Sequence, residues 1–187
     1  GWGGGNEEPI VIAEGAASRS YLAGPLPPGT WSVVIGAAKV VTAPARYRLE
    51  IDLRQAPTLA PQPERRAWVP GAPLRSTPRW YAGDLHVHSK ESGDARPTLD
   101  ALATFARSRG LDFVELSDHN TTSQLDFMND AQRRAGDFLL LPGVEFTTYD
   151  GHANGIGAVA FVDHKIGLPG VTIDAAADAF AGQGALF

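Results

Sequence analysis

The sequence predicts an α/β protein: a mostly parallel sheet covered by helices over residues 80–187, preceded by a small β-sandwich-like segment over 1–54 and a proline-rich linker over 55–79. Three observations predict this. From Trp80 onward, apolar strand-forming runs alternate with amphipathic helical stretches, the pattern of a helix-covered parallel sheet. Ahead of it, short segments alternate apolar and polar residues with period two, as a sheet wet on one side does. Between the two, residues 55–79 hold six of the chain's 14 prolines, a composition that keeps a chain extended and semi-rigid.

The first residues, Gly1 to Glu8, lack the basic start and apolar core of a signal peptide. Pro9 to Ala13 is a candidate strand. Leu22 to Gly29 carries three prolines and two glycines and reads as a turn. Thr30 to Ile35 alternates, with Trp31, Val33 and Ile35 on one face. Arg46 to Arg54 alternates without a break, with Tyr47, Leu49, Ile51 and Leu53 facing a core. So few strands bury too little to stand alone, so the module is expected to be cut at its N-terminus or packed on its neighbour. In the linker, Trp68 and Val69 are candidates to pin the chain to a surface.

In the second part, Tyr81 to Ser89 reads as a strand with Leu85 and Val87 as its apolar residues. Pro97-Thr98 opens a helix whose face is Leu99, Leu102, Ala103 and Ala106, and Gly110 stops it. Asp112 to Ser117 is the next strand. A second helix, capped by Thr121, Thr122 or Ser123, runs to Ala135 and stops at Gly136. Asp137 to Leu141 is a third, apolar strand, and Gly/Ala-rich His152 to Val162 a fourth. Ile173 to Ala181 is a third helix, stopped by Gly182, and Leu186-Phe187 starts another strand.

Composition excludes several function classes. The formal charge is −5 and the 13 arginines and three lysines form no run, which argues against a nucleic-acid binder. Cysteine is absent, so there is no disulfide framework and no thiolate metal site. No run of 18 apolar residues suggests a membrane span. Cytoplasmic and exported locations both stay open.

The chemistry gathers at strand ends, where parallel α/β folds bind ligands. His86 and His88 lie two apart on a strand, on one side and about 7 Å apart by the strand rise, so they can converge on one metal. The next strand ends in Ser117-Asp118-His119-Asn120, the third in Pro142-Gly143-Val144-Glu145, and His152 follows. The loop after the first strand carries Glu91 and Asp94. Four of the five histidines therefore sit at or near strand ends. His164, between Asp163 and Lys165, reads instead as a solvated turn.

Gly83-Asp84-Leu85-His86-Val87-His88-Ser89, Leu116-Ser117-Asp118-His119-Asn120 and Pro142-Gly143-Val144-Glu145-Phe146-Thr147 resemble, in order and spacing, the first three motifs of the PHP (polymerase and histidinol phosphatase) superfamily. Gly151 to Gly157 and the β-rich segment ahead of the domain resemble its CehA/McbA-type branch. The resemblance covers residues 80–187. It implies a distorted (β/α)7 barrel with two or three divalent metals at its C-terminal face. It implies that His86, His88 and Glu145 bind one metal, that Glu145 bridges to a second held by His152, and that Asp94 and His119 belong to a third or to its surrounding shell. Asp118 is then expected to orient His119 or a water. The family's Asn-His-Pro-like and late Asp-x-His motifs do not occur, so the expected domain is a barrel cut before its last motifs.

Imidazole and carboxylate ligands suit Zn²⁺, Mn²⁺ or Fe²⁺. The expected function is metal-dependent hydrolysis of a small-molecule phosphoester, with Asp118 and Glu145 as catalytic residues. Carbamate or another ester is the alternative substrate. The rival class is a non-catalytic surface-binding protein presenting Trp2, Trp31 and Trp68. The sequence does not specify an oligomeric state.

Overall fold

A computed structural model describes residue 3, residues 6–37 and residues 39–187; Trp2 lies outside the described residues. Two sheets form. The first is a hairpin of β1 (Ile12–Ala13) and β2 (Ala16–Ala17). The second has four strands in the order β3 (Gly83–Val87), β4 (Phe113–Leu116), β5 (Leu139–Thr147) and β6 (His152–Ile156). Three helices accompany it: α1 (Leu99–Ser108), α2 (Leu125–Ala135) and α3 (Ile173–Ala181).

The β3–β4 and β4–β5 pairings are parallel, as the strand-helix alternation predicts. The β5–β6 pairing is antiparallel. Only residues 148–151 join those two strands, and a parallel crossover needs a dozen or more. This hairpin also lengthens β5. Its antiparallel half runs from Gly143 to Thr147, so Glu145 lies inside a strand rather than beyond its end. Leu186 bridges antiparallel to Ile156, beside β6.

Helix starts follow local chemistry. The Thr98 hydroxyl accepts from the Ala101 amide at the head of α1, and Thr172 does the same for Ala175 at the head of α3. α2 differs from expectation, for no side chain caps it. Its first amides bond instead to the carbonyls of Thr122, Ser123 and Gln124, because the Thr121 hydroxyl is committed to Ser20 and Ser123.

One core lies between α1, α2 and the sheet, with Leu99, Val114, Leu116, Met128, Phe138 and Leu140 buried and Trp68 packed against it. Each large side chain so buried contributes about 1.5–3 kcal/mol. The other gathers Val144, Phe146, Ala176 and Phe180 under α3. The opposite, concave face carries His86, Glu115 and Glu145 beside Leu139 and Leu141. The Asn154 amide on β6 donates to the Leu85 carbonyl on β3 at 2.6 Å, so the sheet curls until its outer strands meet.

The described residues therefore form a curled four-stranded sheet, not a closed seven-stranded barrel. The sandwich-like N-terminal segment is not seen either. Residues 30–35 and 46–54 carry no strand, and Val33, Ile35, Tyr47, Leu49, Ile51 and Leu53 are exposed. Alternation prepares a face but supplies no partner, and isolated strands are unstable in water. Within residues 55–79, Trp68 packs against the first core while the Val69 side chain is exposed; Arg65 pairs with Asp126 at 2.8 Å, and Asn129 bonds Ala67 and Val69. No helix among the described residues is long and apolar enough to cross a membrane.

Candidate metal centre

The β3 backbone sends His86 and His88 onto the concave face. β5 brings Glu145 up beside them, and His152 opens β6 opposite Thr147. The β4–α2 loop adds His119, bridged to Glu145 along the backbone. The β3–α1 loop adds Asp94. All six side chains converge.

Glu145 is the hub and is only 3% exposed. Its Oε2 lies 3.1 Å from His86 Nε2, 2.8 Å from His88 Nε2 and 3.2 Å from His119 Nδ1. Its Oε1 is in close contact with His152 Nδ1. Asp94 joins from the other side, 3.1 Å from His119 Nε2 and 3.5 Å from His88 Nδ1. Three groups have ligand atoms all within 4.8 Å of one another: His86, His88 and Glu145; His88, Asp94 and His119; His119, Glu145 and His152. Each group shares one residue with each of the others.

This donor set fits divalent cations. Ligand atoms on one tetrahedral ion with bonds of about 2.0–2.2 Å stand about 3.3–3.6 Å apart, a few tenths wider than the 2.8–3.2 Å separations around Glu145 Oε2. The Nε2 atoms of His86 and His88 also face each other at 3.1 Å. Two imidazole nitrogens and a carboxylate oxygen at mutual contact are poorly served by protons alone. A cation accepting from all three satisfies them together.

The electrostatics agree. Burial pushes the Glu145 carboxyl up, but His119, His86 and His88 outweigh it and hold it below the usual range. Burial likewise raises Asp94, and Ser92, His119 and His88 bring it down on balance. His119 is lowered, chiefly by burial, which keeps its imidazole neutral and able to coordinate.

The remaining site expectations fall as follows. Asp118 is fully buried and accepts from the Ser89 amide and the Ser89 hydroxyl, each at 2.6 Å. Burial raises its carboxyl to about 7 against those bonds. His164 is in none of the three groups. Its ring is half-buried against Phe161 rather than solvated.

Three hydroxyl or amide residues receive no role in the sequence reading, although Asn120 and Thr147 lie within its second and third motifs. The Ser92 hydroxyl lies 3.0 Å from His88 Nδ1 and accepts from the His119 amide. The Thr147 hydroxyl lies 2.6 Å from His119 Nδ1 and 3.2 Å from His152 Nδ1. Asn120, at φ +47°, exchanges two hydrogen bonds with the Thr147 backbone. Their only sequence signal is position: each lies within a few residues of a histidine or of Glu145, where the partners that orient metal ligands belong.

No family model and no curated protein matches this chain. Among solved structures, it is similar to a two-domain protein from Bacteroides vulgatus ATCC 8482 described as containing a predicted PHP-like metal-dependent phosphoesterase. The two are 22% identical, with a TM-score of 0.45 over 57% of this chain and 33% of that one. The chain thus spans about a third of the length of the structure it matches.

Proposed function

We propose that residues 80–187 carry the centre of a metal-dependent hydrolase of the PHP superfamily, in its CehA/McbA-type branch, acting on a small-molecule phosphoester. Two or three ions of Zn²⁺, Mn²⁺ or Fe²⁺ are held by His86, His88, Asp94, His119, Glu145 and His152. The observation that carries this reading is Glu145: one buried carboxylate faces four imidazoles and joins two of three interlocking donor groups. Bound there, divalent ions supply Lewis acidity and offset charge developing on the phosphoryl oxygens.

The chain's own residues shape the rest. Glu145 provides a fixed negative charge at the floor of the site and holds the four rings in place. The His86, His152 and Asp94 side chains, 52%, 52% and 45% exposed, form its open mouth, where substrate enters. Asp118 acts from behind as a positioning residue, because its carboxylate holds Ser89 and so sets where the strand bearing His86 and His88 ends. Residues 1–54 are the module ahead of this centre and residues 55–79 the proline-rich segment that joins the two, with Ser20 and Arg65 bonded to residues of the centre's half.

Titration of Zn²⁺, Mn²⁺ and Fe²⁺ into metal-free protein, with turnover followed on bis-p-nitrophenyl phosphate, p-nitrophenyl phosphate and p-nitrophenyl acetate, tests the reading. Metal-dependent cleavage of a phosphoester is expected. Cleavage of the acetate alone would move the assignment to carbamate or ester hydrolysis. Absence of turnover with every metal, in any protein containing this chain, would leave a binding role.

A further inference from the structure

Ser20 lies far from the centre in sequence and touches both loops that build it. It is completely buried and holds φ +70°, a conformation that a non-glycine residue keeps only where its surroundings impose it. All three of its polar groups are used. Its hydroxyl donates to the Glu91 carbonyl at 2.5 Å, and its amide donates to Glu91 Oε2 at 3.3 Å, across 71 residues. Its carbonyl accepts from the Thr121 hydroxyl at 3.0 Å, across 101 residues.

The two partners sit in different loops. Glu91 is 2% exposed and belongs to a single 3₁₀ turn, Lys90–Ser92. That turn leads into Ser92, which contacts His88 and His119, and Asp94, which contacts the same two rings. Thr121 follows His119 and Asn120 directly. In the His86, His88 and Glu145 group, β3 carries His86, β5 carries Glu145, and only His88, the residue after β3, belongs to these loops. In the His88, Asp94 and His119 group all three ligands sit on them, so that group depends on the loops most.

We infer that Ser20 is a positioning residue for the candidate metal centre: it ties the β3–α1 loop to the β4–α2 loop and so holds His88, Asp94 and His119 in register. Through it the N-terminal segment becomes part of the centre's support. The neighbouring contacts agree in direction. The Arg19 guanidinium reaches the Ala95 carbonyl, and Arg65 clasps the Ala17 and Tyr21 carbonyls while pairing with Asp126.

This inference rests on the metal-centre reading, so its test has one arm that does not. Ser20→Gly deletes the hydroxyl and leaves the positive φ freely accessible. Ser18→Ala is the control, since among the described residues the Ser18 hydroxyl accepts from the nearby Val11 amide alone. In metal-free protein, amide hydrogen exchange in Ser20→Gly should quicken over residues 89–96 and 118–124 and stay unchanged in α1, α2 and α3. With Zn²⁺ and a competing chromogenic chelator, the weakest resolved site should lose about tenfold in affinity, the smaller effect typical of partners that orient ligands. Unchanged exchange and affinity would overturn the inference. So would an equal loss of protection across all three helices, which would make Ser20 a general stability residue, or the same behaviour in Ser18→Ala. If the parent protein bound no Zn²⁺, the metal-centre reading would fall while the exchange arm still decided whether Ser20 ties the loops.

Discussion

Glu115 offers a stability measurement that needs no substrate. It lies on β4, is completely buried, and neither of its oxygens has a hydrogen-bond partner among the described residues. It packs over Gly143, where a Cβ would fall 1.5 Å from its Oε1. Burial, opposed by the nearby Ser117 hydroxyl and reinforced by Asp118, Asp84 and Glu145, pushes its carboxyl from 4.5 to about 8. A raised carboxyl means that the folded state prefers the protonated form. The unfolded chain then releases its proton first, and stability falls as pH rises between the two values. At 1.36 kcal/mol for each unit of pKa, ionisation costs the folded state about 3 kcal/mol between pH 5 and pH 8. Asp118, raised to about 7, adds a fall of the same sign. Glu145 and Asp94 are lowered and act below that window, where they add stability as pH rises. His119 and His164 are lowered from 6.5 and add stability as pH rises inside it, alike in parent and variant. Glu115→Gln keeps the shape and removes the charge. Urea unfolding of metal-free protein at half-unit steps from pH 5 to pH 8 should therefore show the variant losing about 3 kcal/mol less than the parent, or gaining about that much more. Parallel curves for the two proteins would refute the claim that folding raises the Glu115 carboxyl.

His86→Ala removes one donor from a half-exposed position, so phosphoesterase turnover should drop at least about 100-fold, the upper range for perturbing a metal site's surroundings, while the melting temperature moves little. Glu145→Gln should lower turnover further and reduce bound metal in elemental analysis, because the residue joins two donor groups and an amide carries no charge. His164→Ala should leave bound metal and turnover within about twofold, as expected away from the named features of a site; a loss matching His86→Ala would place His164 in the centre.

Much of this arrangement is legible in the residues because it is local. The Thr98 cap and the left-handed Gly110 and Gly136 bound α1 and α2 close to where the sequence puts them. The two-residue spacing of His86 and His88 makes them neighbours on any strand. What escaped depends on partners distant in sequence. The length of β5 comes from β6, so Glu145 could not be seen inside a strand until its return was known. The alternation at 30–35 and 46–54 has the right period, yet a strand exists only through a neighbour's hydrogen bonds. Ser20 gives no local sign of its role, because Glu91 and Thr121 become its neighbours only when the chain has folded.

The Thr147 hydroxyl sets a rule of proton order around the centre. It owns one hydrogen and faces two ring nitrogens, on His119 and His152, so it can donate to only one of them. At most one of the two Nδ1 atoms can therefore accept from it, and the other must carry its own hydrogen, for which the Thr147 oxygen and the Glu145 carboxylate are the acceptors within reach. The two rings are coupled through a single threonine. Thr147→Val would remove that coupling, and the ¹⁵N shifts of both Nδ1 sites in metal-free protein should change together.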